Sequence, residues 1–391
     1  MIKVNGKLSP ILICENIVVS PAIKLRQPYI MVGPVFPDKD WNEENIFRHY
    51  RKFRGGCYPV DKKPLISDEI CETIDKTLNY GGVAIGHFGH FIADFCVNRI
   101  IPLLAEVPEN PFLIILVRKN KDLNTWQREI LFKILGIRKV EYLTDKPIRV
   151  KKLYIAPQIE RLHCGILSES YKESYLDFLD ENIKRLFGDI NTIKGKKVFI
   201  SRLNLPNRII GESYLCELFS KLGYKIIFPE KISVYEQLYE YLTSELLVFT
   251  EGSSIHGLQL LGRLKDKMIV IINRRPNFRL GKELLELRCS DSKFYYIDAV
   301  KIKINGPLQK IPCILDPEVL VESFEKIDKD FSNTFNIKDF YRAILKDSVD
   351  ILFHYSEMQL DLQTVEQLRE LYYKAGLESI YKFFEQNILN K

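Results

Sequence analysis

Between Lys196 and Asn273 four short apolar runs, Val198–Ile200, Ile226–Phe228, Leu246–Phe249 and Met268–Ile272, are separated by amphipathic segments of helix length. Runs of this length, rich in β-branched residues, predict buried strands, and the intervals between them predict crossover helices, one over Glu212–Leu222. That alternation is the pattern of a parallel sheet, whose strand C-termini open onto a crevice where ligands bind. A similar alternation runs through the first half. Gly81–Gly86 predicts a strand, Phe88–Ala105 a helix, Phe112–Val117 a strand, Trp126–Leu135 a helix closed by Gly136, and Val140–Leu143 and Leu153–Ile155 further strands. Ile11–Val35 predicts two or three short strands broken by Pro21, Pro28 and Pro34. A helix over Ser168–Phe187 leads to a hinge between Phe187 and Lys197, and beyond a strand at Phe294–Val300 come helices near Pro317–Ile327, Ile337–Leu345 and Leu362–Ile388. The expected fold is α/β: two Rossmann-like domains, 1–190 and 191–315, followed by a helical C-terminal extension, 316–391.

Composition adds modest constraints. The 391 residues carry a net charge of +6 and are 46% hydrophobic, enough apolar content for a core in each half and too little positive charge for a nucleic-acid arm. The charge is compatible with phosphorylated ligands or an anionic membrane surface. No run approaches the roughly 18 apolar residues of a membrane span, and the start lacks a basic stretch followed by a long apolar one, so a cytoplasmic protein is expected. Eight scattered cysteines without a CxxC spacing are expected to be reduced. Arg48, Arg51, Lys52 and Arg54 read as a solvated helix face or, more sharply, as a patch for an anionic glycan or its lipid carrier. In the last helix Leu377, Ile380, Tyr381, Phe384 and Ile388 share one apolar face, suited to internal packing, a partner or a membrane.

Candidate chemistry gathers at two places. Ser201–Arg202 follows the first strand of the Lys196–Asn273 region and Arg208 lies just beyond, so both arginines can grip a phosphate bidentately. After the third strand comes Thr250–Glu251–Gly252–Ser253–Ser254–Ile255–His256–Gly257, a turn whose hydroxyls and following helix start suit an anion. There Thr250, Ser253 and Ser254 are candidate phosphate contacts, His256 a candidate donor to a phosphate oxygen, and Glu251 a candidate base. Arg274 lies within reach of the same ligand. The second place is the run from Gly86 to Phe95, where a helix would set His87, His90 and Asp94 on one face, the carboxylate one turn beyond His90. A carboxylate that orients an imidazole raises its basicity, as a general base requires. No fourth ligand accompanies this trio as a closed zinc site would need, and Asp38–Lys39–Asp40 and Asp328–Lys329–Asp330 read as surface charge, so no metal is expected. Absence of GxGxxG after any strand disfavours hydride transfer.

The ordered set SRLNLPNRII, GYKIIFPE, SVYEQLYEYLTSELLV and EGSSIHG resembles the nucleotide-sugar half of the family 61 glycosyltransferases, and GHFGHFIADF resembles that family's N-terminal signature. The resemblance spans roughly Gly81–Asn273 and points to the bacterial members that build capsule and other surface polysaccharides. This chain departs from relatives that carry histidine and glycine at the positions of Glu251 and Gly252, and keeps a histidine five positions later. What the resemblance implies is a GT-B arrangement, with the acceptor on the N-terminal half and the nucleotide sugar, a UDP-sugar favoured, on the C-terminal half. It implies inverting transfer without metal or further cofactor: His90, oriented by Asp94, deprotonates the acceptor while Arg202, Arg208 and Ser253–Ser254 hold the departing diphosphate. The implied partners are an oligosaccharide or lipid-linked glycan acceptor of capsule or lipopolysaccharide synthesis and inner-membrane or capsule-assembly proteins on the cytosolic face, with no nucleic acid. Polysaccharide pyruvyl transfer, nucleotide-sugar epimerisation and a non-enzymatic glycan-assembly scaffold are the alternatives.

Overall fold

The chain is described from a computed structural model, which covers all but residues 26–29, 54, 67–70, 118–121, 206, 290, 304–311 and 355–391, with 366, 369, 370, 373, 378 and 382 described within the last span. Arg54 and the apolar face expected within Leu362–Ile388 lie outside the described residues.

The first unit opens with β1 (Ile2–Asn5), the 15-residue β2 (Pro10–Lys24) and β3 (Met31–Pro34). Pro21 does not break β2 as expected. The β2–β9 ladder ends at Val19 and the pairing with β3 is interrupted between Ser20 and Lys24, so the missing N–H of Pro21 forfeits no ladder bond. A hairpin of β4 (Tyr50–Phe53) and β5 (Gly56–Pro59) then replaces the helix face expected around Arg48–Lys52. Arg48 is buried in an ion pair with Asp61 and bonds the carbonyls of Trp41 and Asn42 at 2.9 Å. β6 (Glu72–Ala84) delivers the chain to the GHFGHF turn.

The helix expected over Phe88–Ala105 is broken. It consists of α1 (Phe88–His90), a π turn (Phe91–Phe95) and, past Cys96, α2 (Val97–Glu106), with a 50° bend at the break. β7 (Phe112–Leu116), α3 (Thr125–Arg128) with its π extension Glu129–Ile134, β8 (Val140–Leu143) and β9 (Ile148–Ile155) follow close to expectation. A small hairpin, β10 (Glu160–Arg161) and β11 (Gly165–Ile166), precedes α4 (Lys172–Phe187). Sheet order is β1-β2-β9-β6-β7-β8, with β9, β6, β7 and β8 parallel and β2 antiparallel to β9. This mixed sheet departs from the wholly parallel one that strand–helix alternation predicts. Cys57 and Cys164 are joined by a disulfide that staples the β4–β5 hairpin to the β10–β11 turn, against the expectation of reduced thiols; a separation of 107 residues carries no spacing signal.

The second unit follows its pattern closely. β12 (Ile193–Ile200), β13 (Ile209–Ile210), α5 (Glu212–Lys221), β14 (Lys225–Ile227), α6 (Val234–Thr243), β15 (Ser244–Thr250), a 3-10 helix (Ser253–Leu260), β16 (Met268–Ile272), α7 (Lys282–Glu286) and β17 (Lys293–Ile297) come in turn. The five long strands form one parallel sheet, β14-β12-β15-β16-β17, an order found in doubly wound folds. β18 (Val300–Lys303) and β19 (Cys313–Leu315) join β13 in a second small sheet. α8 (Pro317–Glu325), α9 (Asp330–Thr334) and α10 (Ile337–His354) then pack on this unit: Phe324, Phe331, Phe340 and Ile344 share a core with Phe199 and Phe219. Asp347 of α10 accepts the amides of Gly211 and Ser213 at 2.9 and 3.2 Å, fixing the start of α5. One further apolar cluster, including Phe91, Ile134, Tyr175, Val198, Tyr241 and Ile255, runs through both units.

Candidate functional site

Asp94 is the centre of the first unit's polar cluster. It is fully buried on the π turn, and two segments distant in sequence join His90 of its own turn at its carboxylate. His49 Nε2 lies 2.7 Å from Oδ1; His90 Nδ1 lies 3.3 Å from Oδ2, the oxygen that Arg51 Nη2 also contacts. Gln158 donates to the Asp94 carbonyl at 2.9 Å and accepts the Tyr50 amide at 2.6 Å, tying the hairpin to the turn. Burial by itself would raise the Asp94 carboxyl, but His49, His90 and Arg51 outweigh it and hold the group well below the usual carboxylate range. The buried His49 is held neutral by desolvation, against the pull of Asp94. Alternation along an extended strand puts residues two apart on one face, which is why His49 and Arg51 reach the same carboxylate. Sequence reading missed both roles because it took this stretch as helix; a period of two was the available signal.

His87 caps α1, its Nδ1 accepting the His90 amide at 3.4 Å, and its ring centroid is 4.7 Å from that of His90. Desolvation, then His90 and Arg202, lower its proton affinity. Gly89 lies flat against the second unit: a Cβ there would sit 2.5 Å from Cδ2 of His256. His256 is itself buried, with Nδ1 at 2.7 Å from Gln259 Oε1. Gln259 donates its amide to Glu160 at 2.7 Å, and Glu160 forms a buried ion pair with Arg288. Because the Gln259 amide nitrogen faces a carboxylate, its oxygen faces His256, so the imidazole proton resides on Nδ1 and Nε2 keeps its lone pair. Burial pushes the His256 pKa down to about 4. The ring is neutral, and the N–H expected to meet a phosphate is committed to Gln259. Five of the chain's six histidines, His49, His87, His90, His163 and His256, thus gather around Asp94 and Gly89.

Across the second unit's strand ends opens a cavity of about 530 Å³, lined there by Arg202, Lys231, Ser253 and Ser254 and, from the first unit, by Phe88 and Trp126. Arg202 is buried, its Nε donating to the Asn207 carbonyl at 3.0 Å. Gly252 lies beneath its guanidinium, where any Cβ would collide with Nη1. Desolvation, then the neighbouring Arg274, lowers the Arg202 pKa to about 10, leaving a charged group in a confined space. Ser254 Oγ is buried at the cavity with no hydrogen-bond partner among the described residues.

Other expected residues lie elsewhere. Thr250 donates its hydroxyl to the buried Glu212 at 2.8 Å, and the same carboxylate accepts Ser201 Oγ at 2.8 Å and the Arg202 amide at 2.6 Å. Arg208 does not line the cavity; its guanidinium bonds the carbonyls of Leu203 and Asp347. Glu251 is fully buried, its carboxylate taken by Arg275 and by the amides of Arg274 and Arg275 at 2.8 and 3.0 Å, while Arg274 Nε bonds the Glu251 carbonyl at 2.6 Å. Thr250 and Glu251 are therefore spent on shaping the loop. Glu129 of the first unit lines the cavity too, accepting the Val234 and Tyr235 amides at 2.8 and 3.1 Å and so capping α6 of the second. Among the described residues no three His, Cys, Asp or Glu side chains are grouped to hold a metal ion, and no single helix is long and apolar enough to cross a membrane.

No curated protein matches the chain. Residues 88–263 match the family model described as Glycosyltransferase 61, a segment that begins at the GHFGHF turn and closes just past the 3-10 helix. It takes in His90, Asp94, Arg202 and the Ser253–Ser254 turn and leaves His49 and Arg51 outside. Over residues 88–263, then, the chain is similar to glycosyltransferase family 61.

Proposed function

We propose that this glycosyltransferase moves a sugar from a nucleotide sugar, a UDP-sugar favoured, to a glycan acceptor by a single inverting displacement at the anomeric carbon. The observation that carries the reading is the cavity at the second unit's strand ends, where the buried Arg202 and the more exposed Lys231 supply positive charge and Ser253 and Ser254 line the wall. Opposite walls from the two units support a GT-B arrangement, with the donor on the second unit and the acceptor on the first. His90 takes the proton of the acceptor hydroxyl while Asp94 orients its ring. The acceptor oxygen bonds to the anomeric carbon as the bond from that carbon to the phosphate oxygen breaks. The departing diphosphate keeps the electron pair, and Arg202 with the Ser253–Ser254 backbone stabilises its charge without requiring a metal. Assignment of the acceptor to a growing bacterial surface glycan at the cytosolic membrane face rests on the sequence expectations alone. The Cys57–Cys164 disulfide weighs against that location, since such bonds persist chiefly in oxidising compartments.

The test is a thermal-shift panel of UDP-, GDP- and CMP-linked sugars in EDTA and in Mn²⁺, with Arg202→Ala alongside. One nucleotide class should raise the melting temperature in EDTA, an effect of about 2.7 kcal/mol at a hundredfold excess over Kd, and should lose it in the variant. A folded protein that responds to no nucleotide sinks the donor-site assignment.

A further inference from the structure

We infer that Arg51, on the β4–β5 hairpin outside the family-matched segment, is a positioning residue that governs how readily His90 holds a proton, because it shares with His90 the same oxygen of Asp94. The inference rests on the proposed role of His90 as base. Asp94 has two oxygens and four side-chain neighbours. Oδ1 is taken by His49 at 2.7 Å, with Gln158 Nε2 at 3.4 Å, which leaves Oδ2 to Arg51 and His90. Arg51 holds an ion pair and a hydrogen bond there, while His90 Nδ1 stands at 3.3 Å in a contact that, like that of His49 Nε2 with Oδ1, falls short of hydrogen-bond geometry. The base is therefore coupled to a carboxylate whose charge is already largely compensated.

The consequence is electrostatic. An imidazole facing an uncompensated buried carboxylate keeps its proton; facing a carboxylate matched by a guanidinium, it takes a proton and releases it. Arg51 is held in place from two sides. Its guanidinium lies 5.0 Å from the centroid of the Phe95 ring, and the Cys57–Cys164 disulfide anchors the far strand of its hairpin. The other titratable groups facing His90 do not replace it. His87 on the same turn, His49 on the hairpin and His256 on the 3-10 helix are imidazoles whose proton affinity desolvation lowers, as it does for His163, which feels Asp94 from the β10–β11 turn. Arg202 acts on His87 from the second unit. Arg51 is the permanent cation that touches Asp94 directly.

The experiment is the pH dependence of kcat/KM between about pH 5 and 9 for the wild type, Arg51→Met and Arg51→Lys, with melting temperatures recorded in parallel. In Arg51→Met the acid limb should move up by about one pH unit, the lower end of what a neighbouring charge produces, and Arg51→Lys should bring it most of the way back. A uniform loss of rate at every pH with the limb unmoved would overturn the inference and leave Arg51 a packing or acceptor-binding residue. If Arg51→Met does not fold, Arg51→Lys is compared with wild type alone, and a smaller shift in the same direction is required. A second readout separates this inference from the proposed reaction. The imidazole NMR titration of His90, assigned with His90→Gln, should show the same upward move even if no donor supports turnover, and an unmoved midpoint refutes the role of Arg51 whatever the activity.

Discussion

The second unit assembles its share of the site from the ends of neighbouring parallel strands, while the first draws its share from segments far apart in the chain. Arg202 follows β12 and Ser253 follows β15, adjacent strands of one sheet, so topology alone brings them together. Asp94, in contrast, gathers His49 and Arg51 from a hairpin, His90 from its own turn and Gln158 from beyond β9. A strand-end site depends on a repeated local pattern; a converging site depends on every tertiary contact that holds its contributors. The seam between the two units is where that difference can be probed.

The largest effect is expected from the ion pair that crosses the seam. Arg288→Met leaves the Glu160 carboxylate buried without its counter-charge and should cost about 3–5 kcal/mol in chemical denaturation. Glu160→Gln added to it should return a good part of the loss; no recovery would mean that Arg288 acts through packing. A smaller effect follows from closing the gap at Gly89. Gly89→Ala drives a methyl against His256, whose ring Gln259 pins, and should cost about 1–3 kcal/mol along with most of the activity. Adding His256→Ala removes the collision and should recover stability, whereas an unchanged deficit would locate the strain elsewhere.

The last effect is spread over pH and concerns acid; near neutral pH it vanishes. His256 has a pKa of about 4 when folded against an ordinary value of 6.5, so the unfolded chain binds the proton more tightly. Its contribution is therefore complete above pH 6.5 and declines as pH falls toward 4, by roughly 1.4 kcal/mol per pH unit. Burial lowers His49, His87 and His163 in the same direction, so they deepen the decline. Melting temperature should fall from neutral pH downward, and His256→Gln should flatten that slope; a variant with the wild-type slope would contradict the buried neutral ring.

Much of the second unit was legible in the sequence. The runs at Val198–Ile200, Leu246–Phe249 and Met268–Ile272 fall within β12, β15 and β16, and the helix expected from Glu212 ends one residue early. The first unit was less so because its decisive features are not periodic. Residues Phe88–Ala105 keep an unbroken apolar rhythm without Pro or Gly near Cys96, yet the helix bends there at the end of a π turn, where the Phe95 carbonyl lies so close to Gly82 of β6 that no Cβ would fit and Cys96 Sγ donates to the Gly81 carbonyl at 3.0 Å. On the candidate site, the glycine-flanked histidines, Asp94, Arg202 and the paired serines stood out by residue type. What residue type could not reveal was commitment. Thr250, Glu251 and His256 have the right chemistry for a ligand, but Glu212, Arg275 and Gln259 occupy them first.

The buried pair of Glu160 and Arg288 also bears on how this molecule can be re-engineered. A chain built of two such units invites recombination, in which one unit of one chain is grafted onto the complementary unit of another. Here such a chimera would inherit half of a salt link and the free end of the Gln259–His256 chain, an orphaned charge at the heart of the graft. The units are exchangeable only if residue 160 travels with residues 256, 259 and 288, so the natural unit of inheritance is the seam rather than either unit.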